Sequence, residues 1–295
     1  MDDLAQRLEA TARRFSGRVG YALANLATGE QVLARADEFF PTASAVKLPA
    51  LTAFHAFVDQ GNASWSQSVE ITRADIPGGS GVLQHLTLPR TISFEDAAWL
   101  MICVSDNLAT NLLLRAMTIE RTNDLIRRTI GDGIVINGFA GFRPGLAVPS
   151  MGQATPRALL AYLQSLAEGR LPGSAETVAV LRMQSDHTMI PRYLPVNAYG
   201  ESPVRLANKT GSLAGVRVDI GLLQSPSTTI AMVFMTADGA DTGFTFTNEG
   251  EECIGQLART VWKTWVGGRP TPVPARLRPA QKAPHAALRL RRSGR

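Results

Sequence analysis

Ser44 and Lys47 stand three residues apart where a small-residue segment, Pro41-Thr42-Ala43-Ser44-Ala45-Val46-Lys47, runs into an apolar stretch from Leu48 to Val58. Positions i and i+3 share a helix face, so the spacing predicts the two side chains side by side. A serine hydroxyl is a poor nucleophile until a neighbouring base takes its proton. A lysine amine can be that base only if burial or nearby cations lower its pKa. Alone the pair is a weak signal, equally compatible with a serine at a helix start and a solvated lysine. Its meaning depends on partners elsewhere in the chain.

Two segments supply them. Ser105-Asp106-Asn107 falls between two helical patterns. A second hydroxyl near Lys47 can relay a proton to a leaving nitrogen, and the Asn107 amide can orient the lysine and bind a substrate amide. Lys209-Thr210-Gly211-Ser212 is expected to end a strand. The Lys209 cation can lower the pKa of Lys47 by like-charge repulsion and attract an anionic substrate. Gly211 lets a substrate backbone lie close to that strand, almost as an added strand. The backbone N–H groups of Ser44 and Ser212 can form an oxyanion hole, a contribution of about 3–4 kcal/mol.

S-x-x-K, S-D-N and K-T-G in this order resemble the signature of class A β-lactamases and penicillin-binding proteins. The separations, 61 residues from Ser44 to Ser105 and 104 from Ser105 to Lys209, are similar to those of class A enzymes. The resemblance covers roughly residues 3–266 and extends to Gly79-Ser80-Gly81-Val82-Leu83, to residues 106–111 and to residues 208–219. It implies Ser44 as acylated nucleophile, Lys47 as base and Ser105 as proton relay. It implies Lys209, Thr210 and Ser212 as binders of a substrate carboxylate, and Arg217 at the place of a carboxylate-supporting arginine.

One part of the pattern is missing. Class A enzymes carry a glutamate in an Ω-shaped loop about 36 residues after the S-D-N serine, where it activates the water that releases the acyl-enzyme. The same count here lands on Ala140-Gly141-Phe142, and Asp132 is the sole acid between Gly131 and Pro156. Acylation is retained and hydrolysis of the ester is expected to be slow. Asp186 and His187 are the nearest candidates for a substitute base. The resemblance implies a β-lactam, acyl-peptide or ester as substrate. The alternatives are a DD-peptidase-like penicillin-binding enzyme, an esterase or amidase of a biosynthetic pathway, and a non-turnover β-lactam-binding module.

The elements that must position these residues follow from periodicity. Residues 3–15 read as an amphipathic helix, and 18–26 with 31–35 as a hairpin. Pro49, five residues into the Ser44 helix, is expected to strain its first turn at the carbonyl of Ala45. Residues 60–91 read as loop, with Gly78-Gly79-Ser80-Gly81 as the flexible point. Helices are expected over 94–103 with Ser93 as N-cap, from about 109, over 120–130, 156–168, 175–184 and 249–266. Residues 133–155 read as irregular, and 205–209, 216–223 and 229–235 as strands. Strands, then helices, then strands give an α+β fold. An antiparallel sheet flanked by terminal helices carries an inserted all-helical lobe, a three-layer sandwich like that of β-lactamases and transpeptidases. The expected organisation is one catalytic domain over 1–266, with its α/β part at 1–40 and 200–266 and the helical lobe at 41–199. A basic Pro/Arg-rich tail over 267–295 is expected to be disordered.

Bulk properties narrow the rest. The chain has 295 residues, 45% of them apolar, and a net charge of +5. Residues 267–295 hold eight Lys/Arg and no acid, so the body is mildly acidic and no nucleic-acid partner is expected. His55, His85, His187 and His285 show no metal-ligand spacing, and no metal or cofactor is expected. Cys103 and Cys253 read as buried free thiols. No run reaches membrane-spanning length, and the expected state is a monomer. The N-terminus has no secretory pattern, so the expected location is the cytoplasm, or the periplasm or exterior if a leader was removed.

Overall fold

The structure, a computed structural model, describes residues 2–142, 150–196 and 202–267. The chain opens with α1 (Asp2–Ala12), which buries Leu4 and Leu8 one turn apart. Strands β1 (Arg18–Asn25) and β2 (Gln31–Ala34) form the expected hairpin, turning at Gly29 with φ 75°. A two-residue strand, β3 (Phe40–Pro41), leads into a 3-10 turn over Ala43–Val46 and then α2 (Lys47–Asp59). Pro49 is the third residue of α2, where its missing N–H is one of the first-turn donors that have no helical partner anyway. The strain lies instead at Ala43, whose φ is 46°.

Residues 60–91 are not all loop. The alternating runs Ser68–Ile71 (β4) and Arg90–Ser93 (β5) pair antiparallel. The Ser93 hydroxyl then caps α3 (Phe94–Cys103) by accepting from Asp96 N. Next come α4 (Asn107–Met117), capped by Asp106, and α5 (Ile119–Thr129). The segment read as irregular contains β6 (Ile134–Ile136) and β7 (Gly152–Ala154), which form a small sheet in the order β3-β7-β6. These strands are only three residues long, too short for a period-2 pattern to register. Helices α6 (Pro156–Ala167) and α7 (Ser174–Leu181) complete the lobe.

Three long strands follow: β8 (Arg205–Leu213), β9 (Val216–Gln224) and β10 (Thr229–Ala237). The chain then forms α8 (Glu249–Val261) and a wide turn over Trp262–Val266. The main sheet is antiparallel in the order β2-β1-β10-β9-β8, with the lobe inserted between β2 and β8. Its three central strands, β1, β10 and β9, are buried on both faces. Tyr21, Leu23, Met232 and Phe234 meet Leu8 of α1 and Leu257 of α8. Ala22, Val218, Ile220 and Val233 belong to the core of the lobe with Leu159 and Leu163 of α6. This is the α+β sandwich the element order implied. Among the described residues no helix is long and apolar enough to cross a membrane. Beyond Gly267 the basic tail lies outside the described residues.

The approach of β8 to the 3-10 turn positions the two halves. A Cβ on Gly211 would sit 2.6 Å from Thr42 O and 2.8 Å from Ser44 N. Only a residue with no side chain lets the strand edge lie against that turn. A Gly211→Ala variant is expected to fold but to lose at least 100-fold in the rate of Ser44 modification by an activated β-lactam. Mass-spectrometric time courses alongside a thermal melt check this.

Candidate active site

Three elements bring the sequence motifs together. The 3-10 turn carries half-buried Ser44 and delivers Lys47 to the first position of α2. The turn between α3 and α4 carries Ser105, and the first residue of α4 is Asn107. The outer strand β8 carries Lys209, Thr210, Gly211 and Ser212. Being outermost, β8 has one edge free of strand partners among the described residues, and residue 211 lies beside the Ser44 amide. Thr210 is buried and Ser212 half-buried, and neither hydroxyl makes a hydrogen bond among the described residues.

Lys47 has no exposed surface. Its Nζ donates to Ser105 O at 2.7 Å, to Asn107 Oδ1 at 2.8 Å and to Ser105 Oγ at 3.2 Å. Burial drives its pKa well below the usual 10.5, and the Lys209 charge lowers it further against an opposing pull from Asp106. The arrangement therefore favours a neutral amine. A neutral amine keeps two N–H groups, enough for Ser105 O and Asn107 Oδ1, and turns its lone pair to a hydroxyl. Ser105 Oγ, already in contact, can then reverse the bond and donate.

Lys209 is also fully buried, with Nζ donating to Thr210 O at 2.8 Å. Burial lowers its pKa to about 8, while Asp186, Asp219 and Cys103 hold it up. Asp219, on β9 opposite Thr210, is buried too, and burial raises its pKa from 3.8 to about 7. Asn208 Nδ2 donates to its two carboxylate oxygens at 2.9 and 3.1 Å, and Ile190 N to one of them at 2.9 Å.

The structural roles of several motif residues were not visible from the motifs alone. Asp106 is fully buried and does two structural jobs. It caps α4 by accepting from Ala109 N at 3.0 Å, and it accepts from Leu83 N at 2.8 Å. An Asp immediately before the first helical residue is an N-cap signal already present in the sequence. The Gly78–Gly81 segment, read as a flexible point, is tied into the site. Asn107 N donates to Ser80 O at 3.0 Å and Asn107 Nδ2 to Gly78 O at 2.9 Å, while Ser80 Oγ donates to Ser105 O at 2.7 Å. A Cβ on Gly79 or Gly81 would strike Asn107 or Asp106 at 2.6 and 2.3 Å. Ser105 itself has φ 55°, so both the turn that carries Ser44 and the turn at Ser105 hold backbone strain.

Other candidates sit differently. Arg217 is buried, and its Nε donates to Glu251 on α8 at 3.1 Å. Its Nη groups donate to the carbonyls of Leu213 and Val216 at 2.8 and 2.9 Å and to that of Gly243. These bonds tie β9 to α8 and to the loop before it. Asp186 accepts from Thr188 N and Oγ1, and exposed His187 contacts Gln184 O. Neither bonds Ser44, Lys47 or Ser105 among the described residues. Ala140 is buried and clamped by Asn111, which donates from Nδ2 to its carbonyl at 2.8 Å and accepts from its N–H at 2.9 Å. Residues 143–149 lie outside the described residues. Both cysteines are free, Cys253 buried as expected and Cys103 only half-buried.

Lys47 is bonded to Ser105 and Asn107, Ser44 stands on the turn just before it without a hydrogen bond to Lys47 among the described residues, and Lys209 stands on the sheet edge close enough to lower the Lys47 pKa. A family profile described as the beta-lactamase enzyme family matches residues 3–265, and the chain belongs to that family. It is 31% identical over 130 residues to a beta-lactamase of Streptomyces cellulosae and 31% over 156 residues to the beta-lactamase OXY-2 of Klebsiella oxytoca. Those matches cover 44% and 52% of this chain but only 42% and 51% of the relatives' own lengths. Among solved structures, the beta-lactamase of Sphaerobacter thermophilus superposes with a TM-score of 0.78 at 30% identity, covering 89% of this chain and 96% of that one. PBP-A superposes with a TM-score of 0.75 at 23% identity, over 89% and 96% of the two chains, which speaks to the fold.

The Asp219 pKa has a stability consequence. Its folded value of about 7 lies above the ordinary 3.8, so the native state holds the proton more tightly than the unfolded chain. The stability this contributes is full below pH 3.8 and is lost as pH rises through 7. Asp219→Asn is expected to flatten that decline, checked by urea denaturation at pH 5 and pH 8. The same variant removes a charge that holds up the Lys209 pKa.

Proposed function

We propose that this protein is an acyl-enzyme-forming serine hydrolase acting on a β-lactam or a related amide or ester carbonyl, with slow release of the acyl group. The observation that carries the reading is Lys47, fully buried, bonded to Ser105 Oγ and Asn107 Oδ1 and held toward its neutral form by burial and Lys209.

Neutral Lys47 takes the proton from Ser44 Oγ as that oxygen bonds to the substrate carbonyl carbon. The carbonyl oxygen becomes an oxyanion, received by the N–H groups of Ser44 and Ser212. As the C–N bond breaks, the proton on Lys47 passes through Ser105 Oγ to the leaving nitrogen. The charged Lys209, with the Thr210 and Ser212 hydroxyls beside it on β8, receives the substrate carboxylate. Asn107 Nδ2 meets the acylamide carbonyl. Gly211 leaves room for the substrate backbone along the strand. Arg217 has no role in this scheme beyond tying β9 to α8.

Deacylation needs a base for water. By residue count the window Ala140-Gly141-Phe142 stands where the family carries its glutamate, and it offers none. The deficit corresponds to roughly 10²–10⁴-fold in the hydrolytic step.

Stopped-flow mixing with a chromogenic cephalosporin tests this. The expected result is a stoichiometric burst followed by turnover at least 100-fold slower, with the adduct on the Ser44 peptide. Installing a carboxylate as Ala140→Glu is expected to speed deacylation and leave the burst rate within a few-fold. The burst rate for a carboxylate-bearing substrate is expected to fall above pH 8 as Lys209 loses its charge. No adduct with a penicillin, a cephalosporin or an activated ester would contradict the reading. A burst with acyl-peptide esters but not β-lactams would move the substrate class to peptide or ester carbonyls.

A further inference from the structure

A cavity of about 380 Å³ lies in the helical lobe, away from Ser44, between α2, α3 and α7. Its apolar wall includes Leu51, Trp65, Trp99 and Val180, and the carboxylate-bearing Glu95 and Glu176 also line it. We propose that this cavity is a binding site for a small organic amine with an apolar body, separate from the acylation centre.

Three observations point the same way. First, Glu95 and Glu176 sit in the first turns of α3 and α7 and bring two carboxylates to one rim of the cavity. Neither has an ion-pair partner among the described residues. Second, indole rings attract a cation through their faces, and Trp99 is 43% exposed while lining the cavity. Third, His55 is only 9% exposed, lines the cavity and makes no hydrogen bond among the described residues.

The His55 ring is wedged in place. It packs on Trp65 at 4.6 Å between centroids, and Gly173, with φ 63°, leaves no room for a Cβ against it. Burial lowers its pKa, with Glu176 and Asp59 opposing, so the neutral imidazole offers an acceptor to a ligand N–H. Trp65 is fixed as well, since Glu95 N donates to its carbonyl at 3.1 Å. Two carboxylates, one acceptor and indole walls select an ammonium group attached to a ring or chain. A carboxylate ligand is repelled, and a neutral one forgoes the ion pair. The walls are rigid elements of the fold: α2 begins at Lys47, α3 ends just before Ser105, and α7 packs on β8.

Titration of the full-length protein with 2-phenylethylamine, followed by the indole N–H resonances of its four tryptophans, tests the proposal. The expected result is saturable shifts at Trp65 and Trp99 but not at Trp262 or Trp265. The expected dissociation constant is about 0.1–1 mM, in keeping with a ligand of this size. Binding of 2-phenylethanol and 3-phenylpropionate is expected to be at least tenfold weaker. The double substitution Glu95→Gln and Glu176→Gln is expected to abolish the preference for the amine, and Ala98→Phe to block all three by filling the cavity. Equal affinity for amine and alcohol, shifts only at Trp262 and Trp265, or no shift up to 10 mM amine would overturn it. The Ser44 burst is measured separately, so loss of either result leaves the other standing.

Discussion

Two lysine side chains are removed from water next to each other, and the rest of the site is organised around that cost. An ion taken out of water loses several kcal/mol of solvation even after the protein relaxes. Lys47 recovers part of it through three oxygens, two from Ser105 and one from Asn107. Lys209 recovers part through Thr210 O and the nearby acids. What remains uncompensated appears as lowered pKa values. For Lys47 this shifts the balance toward the neutral amine that the proposed base role requires. For Lys209 it leaves a cation that survives at neutral pH and repels a proton from its neighbour. In the proposed scheme one burial event therefore serves nucleophile activation and anion attraction together.

Holding this geometry takes supports that do no chemistry. Asp106 caps α4 and anchors the backbone at Leu83, and the glycine segment 78–81 packs over Asp106 and Asn107 where no side chain fits. Gly211 brings β8 against the Ser44 turn. The positive φ angles of Ala43 and Ser105 are affordable because the surrounding hydrogen bonds over-determine both turns. Asn111 fixes Ala140 by two hydrogen bonds to its backbone, so this position is a defined place in the fold.

The long elements were legible in the sequence because their periodicities are long. The hairpin, the three C-terminal strands and the helices of the lobe all fell within a few residues of their observed bounds. The candidate set Ser44, Lys47, Ser105, Asn107 and Lys209 was legible because three motifs kept their order and spacing. Tertiary information was not. The two- and three-residue strands β3, β6 and β7 hold together only through one another. The glycines at 78–81 read as freedom, whereas contact with Asp106 and Asn107 makes them a necessity of close approach. Pro49 read as a source of strain because the helix start was placed three residues too early. Arg217 is engaged by Glu251, a residue 34 positions away on α8.

The central claim is that Lys47 is a neutral base in the folded protein near neutral pH. Selective labelling of lysine side chains with ¹³C at Cε, assigned with a Lys47→Arg variant, lets its titration be followed by NMR. The account predicts that Lys47 titrates well below the usual 10.5, and that its midpoint rises when the Lys209 charge is removed by Lys209→Met. A Lys47 resonance that stays in the ammonium position up to pH 10 would contradict it.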